Sequence, residues 1–187
     1  GGSEGWSRNV RVVGVTQYTD ADLAEIADPQ YEQHFLVSSQ KLNLIVSAAG
    51  IRTSDAVVEI GAGAGTVARH FPVCRSLTVI ELDQRLIARL RDAVPHATVI
   101  QGDALALLEA LPVDVLVSNL PNRTTAGLLK LLPALELRTA IVAMSEASAR
   151  EPAPPGYVAE FVTTIGGDDF RPPQPSTSTV VRLTRAP

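Results

Sequence analysis

Along most of this chain, short unbroken apolar runs alternate with stretches in which apolar residues recur every third or fourth position. That is the pattern of buried strands alternating with amphipathic helices. The runs Ala56–Ile60, Leu77–Glu81, Ala97–Gln101, Val113–Ser118 and Thr139–Met144 predict strands covered on both faces. Between them helices are expected over Thr66–Phe71, Asp83–Ala93, Ala104–Leu111 and Thr124–Leu132. In the second of these, Leu86, Ile87 and Leu90 point inward and Arg85, Arg89 and Arg91 outward, as on an amphipathic surface helix. Ahead of the first strand, Leu23, Ile26 and Ala27 mark a helix over Asp20–Ala27 behind a Thr19 or Asp20 cap. Leu42, Ile45, Val46 and Ala49 mark another, opening at Ser38-Ser39 and stopping at Gly50. Ser145–Gly156 is polar, proline-rich and aperiodic; Val158–Ile165 and Thr177–Leu183 predict two closing strands around the loop Gly166–Pro175. Strand and helix alternating through Met144 imply an α/β fold with a parallel sheet, and the closing pair implies an antiparallel edge. The expected organisation is a polar tail over 1–19 and a single domain over 20–187.

Composition narrows the class. The 187 residues carry 45 % hydrophobic and 19 % charged side chains, the balance of a globular protein and not of a disordered or fibrous one. The net charge of −4, with Lys41 and Lys130 the only lysines, is not the footprint of a surface that grips nucleic acid all over. Cys74, the single cysteine, excludes an internal disulfide and a thiolate zinc site, so no metal is expected and a cytoplasmic setting is. No run approaches the ~18 apolar residues of a membrane span, and Gly1–Gly5 lacks the basic and apolar regions of a signal peptide.

The chemistry gathers at the strand ends. Glu59-Ile60-Gly61-Ala62-Gly63-Ala64-Gly65-Thr66 is an acid followed by alternating glycines, which lets the backbone come close to a nucleotide-like cofactor. A dinucleotide fingerprint wants a third glycine where Thr66 stands. Glu81, ending the second strand, is placed to accept both hydroxyls of a ribose, and Asp103, after the third, suits the exocyclic amine of an adenine. No Lys or Arg lies in the glycine loop to meet a pyrophosphate, whereas carboxylates suit the cationic sulfonium of S-adenosylmethionine. His34, His70 and His96 are scattered and read as structural or exposed, and Arg69, Arg75, Arg85, Arg89 and Arg91 as a solvated face.

Taken together these stretches resemble the ribosomal-RNA adenine N6-dimethyltransferases, including the macrolide-resistance rRNA methylases. Gln33-His34-Phe35-Leu36 resembles their Gln-Asn-Phe-Leu motif, Glu59–Gly65 their first cofactor motif, Val79–Asp83 their second and Gly102-Asp103-Ala104 their third. Asn119-Leu120-Pro121 is similar to the start of their Asn-Leu-Pro-Tyr catalytic motif, and Phe170–Pro173 with Ser178–Leu183 to their closing motif. The resemblance implies a class I, Rossmann-like methyltransferase whose seven-stranded sheet ends in an antiparallel strand. It implies S-adenosylmethionine held by Gln33, Phe35, Leu36, Glu59, Gly61, Gly63, Gly65, Glu81, Leu82, Asp103, Ala104 and Asn119. Catalysis falls to Asn119, Leu120 and Pro121: the Asn119 side-chain carbonyl and the Leu120 backbone carbonyl accept from the target amine and favour its developing charge.

Asn122 stands where the family has an aromatic that stacks on the target adenine, which leaves Phe170 as the expected stacking face. The stretch after the fifth strand is short where the family has a longer helix and loop, and the family's C-terminal helical domain is not expected before Pro187. The substrate readings are therefore an adenine in RNA or in a ribosomal particle, a small molecule or peptide, or none, as in a non-catalytic binding module. A monomer and no membrane partner are expected.

Overall fold

The computed structural model describes residues 19–187; the expected tail lies outside them except for Thr19. Thr19 caps α1 (Asp20–Ile26) reciprocally, its hydroxyl accepting from the Asp22 N–H and the Asp22 carboxylate accepting from the Thr19 N–H at 3.0 Å. The chain continues through β1 (Phe35–Leu36), α2 (Ser39–Ala49), β2 (Ala56–Ile60), β3 (Ser76–Glu81), α3 (Ile87–Ala93), β4 (Thr98–Gln101), α4 (Ala104–Leu107) and β5 (Val115–Ser118). It ends with α5 (Asn122–Leu131), β6 (Thr139–Met144), α6 (Glu146–Arg150), β7 (Tyr157–Gly167), β8 (Phe170–Arg171) and β9 (Gln174–Arg185). The main sheet has seven strands in the order β4-β3-β2-β5-β6-β9-β7. Its first five are parallel, and β9 runs antiparallel to both β6 and β7. From β2 the chain winds outward to β3 and β4, then returns to the other side of β2 as β5. The crevice at that reversal, beyond the carboxyl ends of the strands, is where ligands bind in open α/β sheets.

Each central strand is buried on both faces, which is why its sequence reads as an unbroken apolar run. Val57, Val79, Val115, Val117 and Ile141 pack with Leu42, Ile45 and Ala49 of α2 and Leu90 of α3. Val58, Ile60, Ile80, Leu116 and Val142 pack on the other face with Ala104, Leu108, Leu128 and Leu132. Among the described residues no helix is long and apolar enough to cross a membrane.

Several expected elements change. The helix over Thr66–Phe71 is only a 3-10 turn, Ala68–His70: Pro72 follows, and Phe71 is extended at ψ 138° because the proline ring disfavours a helical residue before it. A 3-10 turn, and not the N-terminus of an α-helix, therefore follows the glycine loop in the chain. The next helix begins as a 3-10 turn, Gln84–Leu86, before α3, with Leu86, Ile87 and Leu90 buried as expected. The polar stretch after β6 holds α6, because the Ser145 hydroxyl accepts from the Ser148 N–H at 3.1 Å and caps a turn the periodicity does not show. The long loop contains β8, which pairs antiparallel with β1 as a separate two-stranded sheet.

The far end of the sheet is closed by a buried ion pair. Asp55, just before β2, is 2 % exposed, and Arg138, just before β6, reaches both of its oxygens at 2.7 Å. The Asp55 carboxylate also accepts from the Arg52 N–H at 2.7 Å. Hydrogen bonding by Arg138 holds Asp55 below the ordinary carboxylate value of 3.8, against the opposing effect of burial. A depressed acid stabilises the fold fully above its unfolded pKa, and that contribution is lost as pH falls through the folded one. Asp55→Asn should therefore cost about 2–3 kcal/mol at pH 7, since it leaves a partly buried guanidinium without its counter-charge. The difference from wild type in urea melts should shrink as pH falls below about 4; a constant difference down to pH 2 would show that the pair does not stabilise through charge.

Candidate active site

The glycine loop departs from β2 with Gly61 at φ 69° and Gly63 at φ 59°, left-handed conformations that favour glycine. Both are also pressed from outside. A Cβ on Gly61 would lie 3.0 Å from Leu120 Cδ2 and 3.7 Å from the Asn119 backbone oxygen, and one on Gly63 would lie 3.0 Å from the Phe35 ring. The turn after β5 and the segment around β1 therefore close on the loop from two sides. Gly65 serves a different purpose, since a Cβ there would meet Ala93 Cβ at 2.9 Å and Leu90 Cδ1 at 3.2 Å; it lets α3 approach the loop.

Glu81 ends β3 and ties this loop down. One carboxylate oxygen accepts from the Gly63 N–H at 2.7 Å, and the other from the Asp83 N–H at 2.8 Å. Burial raises its pKa, and these amide donors offset the rise only in part. Glu59 lies beneath the loop, 3 % exposed, and its Oε1 is buried with no hydrogen-bond partner. Burial first, and then the neighbouring Glu81 charge, push its pKa well above 4.5. Asp83 has a depressed pKa: burial acts to raise it, but hydrogen bonds from Arg85 and Gln33 prevail.

The strand ends enclose a cleft of about 630 Å³. Of the residues expected at the cofactor, Gln33, Phe35, Gly61, Gly63, Glu81, Leu82, Asp103, Ala104 and Asn119 line it, as do Leu120 and Pro121. Leu36 does not; it is 3 % exposed and packs in the core beside Leu42 and Phe170. Glu59 and Gly65 support the wall from behind. Phe170, the expected stacking face, is fully buried. It sits opposite Leu36 in the small sheet, where its ring fills the core and does not line the cleft. Asn122 opens α5 instead of lying in the expected loop, because the Pro121 carbonyl already accepts from the Thr124 and Thr125 N–H groups.

Around the expected Gln33 and Phe35, the structure adds cleft residues that sequence reasoning missed. The segment 28–34 crosses the cleft mouth, and Tyr31, Glu32 and His34 line it. That segment is anchored by Gln33, whose amide donates to Asp83 at 2.8 Å and whose carbonyl accepts from the Asp28 N–H at 2.8 Å. His34 Nδ1 lies 3.0 Å from the Pro172 carbonyl oxygen. Arg123, Thr124, Gln174, Ser176 and Ser178 also line the cleft. Only distance along the chain hides them: the wall combines residues some 140 positions apart, all polar or small and none in an apolar pattern.

The lining fits a cationic nucleoside cofactor. Glu81 and Asp103 bring carboxylates to its polar wall, Leu82 and Ala104 give apolar surface between them, and the uncompensated Glu59 oxygen lies below. A sheet in this order with an antiparallel β9, carrying such a cleft at its switch point, defines a class I S-adenosylmethionine-dependent methyltransferase. The family model for ribosomal RNA adenine dimethylase matches residues 25–150, and the chain belongs to that family. It is 34 % identical to the ribosomal RNA small subunit methyltransferase A of Xanthomonas campestris pv. campestris, across 81 % of this chain and 67 % of that protein. Among solved structures it is similar to a dimethyladenosine transferase from Plasmodium falciparum, with a TM-score of 0.73 and 24 % identity over 82 % of this chain and 64 % of that one. It is also similar to the 23S rRNA methyltransferase ErmE, with a TM-score of 0.71 and 25 % identity over 81 % of this chain and 70 % of that one.

Glu81→Gln should keep the amide contacts in part but weaken S-adenosylhomocysteine binding by about 1.5–3 kcal/mol, the worth of hydrogen bonds to a charged acceptor. Because burial raises the Glu81 pKa, wild-type affinity should begin to fall at a pH above the ordinary 4.5 of a glutamate. Titration calorimetry between pH 5 and 8 checks both, and equal affinities for the two proteins across that range would remove Glu81 from the cofactor site.

Proposed function

We propose that this chain transfers a methyl group from S-adenosylmethionine to the exocyclic amine of an adenine in ribosomal RNA, as a single cytoplasmic, monomeric domain spanning 20–187. The observation that carries this reading is the contact between Gly61 and the Asn119-Leu120 turn, which sets the acceptor-bearing turn directly against the cofactor loop. Family membership and the rRNA-methyltransferase names of its relatives support the substrate class.

When bound, S-adenosylmethionine supplies an electrophilic methyl group. The protein's own task is alignment and electrostatics. The Asn119 side chain and the Leu120 carbonyl are acceptors, and an adenine amine that donates to both is held with its nitrogen turned toward the cofactor loop. As that nitrogen gains positive charge, both contacts strengthen, so their effect lies in the transition state. A general base is unnecessary, because alkylation itself makes the amine proton acidic. Thr125 Oγ lies 3.4 Å from the Leu120 oxygen and 3.3 Å from the Pro121 oxygen, and steadies the turn from behind.

Asn119→Ala should lower kcat by about 10²-fold while leaving S-adenosylhomocysteine affinity close to wild type, as for other groups acting where charge develops. Single-turnover kinetics beside calorimetry separate the two, and an equal loss of cofactor binding would make Asn119 a structural residue.

The cleft also bears on how the RNA is presented. A flipped base recovers lost stacking on aromatic faces, worth about 1–3 kcal/mol per base. Of the two expected faces, Asn122 is not aromatic and the Phe170 ring is buried, which leaves Tyr31 as the aromatic at the mouth; with one face instead of two, deproteinised rRNA should be a poor substrate and an assembled ribosomal particle a better one. Asn122→Tyr should raise labelling of deproteinised rRNA several-fold. Incubation with labelled cofactor and each RNA form, with a metabolite extract as a third arm, decides; efficient labelling of deproteinised rRNA by wild type would overturn the presentation argument, and labelling of the extract alone would favour a small-molecule substrate.

A further inference from the structure

Among the described residues that line the cleft, the carboxylates Glu32, Glu81 and Asp103 are accompanied by a single Arg or Lys side chain, Arg123. This is an unusual charge balance for a site that would admit a polyanion. Arg123 lies at the substrate end, two residues beyond Pro121 in the first turn of α5, and 72 % of its side chain is exposed. Its guanidinium does not point at bulk water alone: Nη2 is 3.6 Å from Oε2 of Glu32, which comes across the cleft mouth from the segment that carries Tyr31 and Gln33.

Glu32 is held in an unusual way. It is the only non-glycine with positive φ among the described residues, at 51°, and it follows the 3-10 turn Pro29–Tyr31. The anchors on either side, Asp28 and Gln33, are fixed to each other and to Asp83, so the left-handed residue is imposed by its neighbours. The result carries the Glu32 carboxylate over the cleft toward Arg123. The pair is long and solvent-exposed, a geometry in which an ion pair contributes little and is readily exchanged. A phosphate offers the same guanidinium two oxygens and a greater charge.

We infer that Arg123 is the residue that takes a phosphate of the substrate strand beside the target base, and that Glu32 occupies this guanidinium in the substrate-free cleft as an internal stand-in for that phosphate. The inference rests on RNA being the substrate. It assigns specificity to an electrostatic exchange: binding breaks the Glu32 contact, frees that carboxylate to water and replaces it with a phosphate. Anionic molecules lacking a strand to reach the adenine site would not make the exchange productively.

The test uses the full chain with saturating S-adenosylhomocysteine and a single-stranded, adenine-containing oligoribonucleotide, with binding followed by fluorescence anisotropy from about 50 to 200 mM salt. Arg123→Gln should weaken binding and lower the slope of log affinity against log salt by about 0.7, one phosphate contact on a single strand. Glu32→Gln should tighten binding, and the double variant should match Arg123→Gln, because Glu32 acts only through Arg123. A methylphosphonate oligonucleotide should bind wild type and Arg123→Gln equally. Unchanged affinity and slope in Arg123→Gln would overturn the inference, as would equal tightening by Glu32→Gln with and without Arg123, which would reveal a general field effect. If no protein binds the oligonucleotide and none labels an assembled ribosomal particle while S-adenosylhomocysteine still binds, the RNA reading itself fails; if the particle is labelled and the variants bind alike, only the role of Arg123 does.

Discussion

The site hangs on the Glu81 carboxylate. Its two oxygens join the Gly63 and Asp83 amides, so a single side chain fixes the glycine loop after β2 to the turn after β3. From Asp83 the same network continues through the Gln33 amide to the Asp28 backbone, and through Arg85 to the Asp28 side chain at 3.4 Å. A buried acid thus organises both the cofactor loop and the segment over the mouth. The cost is visible in its raised pKa, and in that of Glu59 below it, where burial and the Glu81 charge outweigh a backbone hydrogen bond from Ala68 and one oxygen has no partner. Carboxylates crowded against one another are poorly placed by themselves and well placed beneath a cation.

The same arrangement explains why the fold can remain rigid while its mouth stays weakly held. The strand cores on the two faces are apolar and close-packed, and the Asp55–Arg138 pair closes the opposite end of the sheet. At the mouth the contacts are polar, exposed and long, as between Arg123 and Glu32. In the proposed mechanism, chemistry therefore rests on the close-packed part, through Gly61 against Asn119 and Leu120, and admission of the strand on the exposed part. Acids predominate in the cleft because the cofactor is a cation, and the substrate end must then supply its own positive charge.

Much of this was legible in the chain itself. Unbroken apolar runs such as Ala56–Ile60, Val115–Ser118 and Thr139–Met144 specify a parallel sheet whose central strands are buried on both faces, and Glu59, Glu81, Asp103 and Asn119, at or just beyond the carboxyl ends, specify a polar crevice above it, because periodicity and burial are local consequences of side-chain type. The spacing of the glycines and of Asn119-Leu120-Pro121 carried the family. Tertiary structure alone decided the rest. Gly65 faces α3 and not the ligand, Phe170 is drawn into the core by its pairing with Leu36, and the Phe71-Pro72 step cuts an expected helix to one turn. Likewise Glu32 meets Arg123 only because the neighbouring Gln33 is tied to Asp83, fifty residues on, which fixes the segment that carries it. Contacts between polar residues far apart in sequence leave no period to read; they exist only once the sheet has brought their elements together.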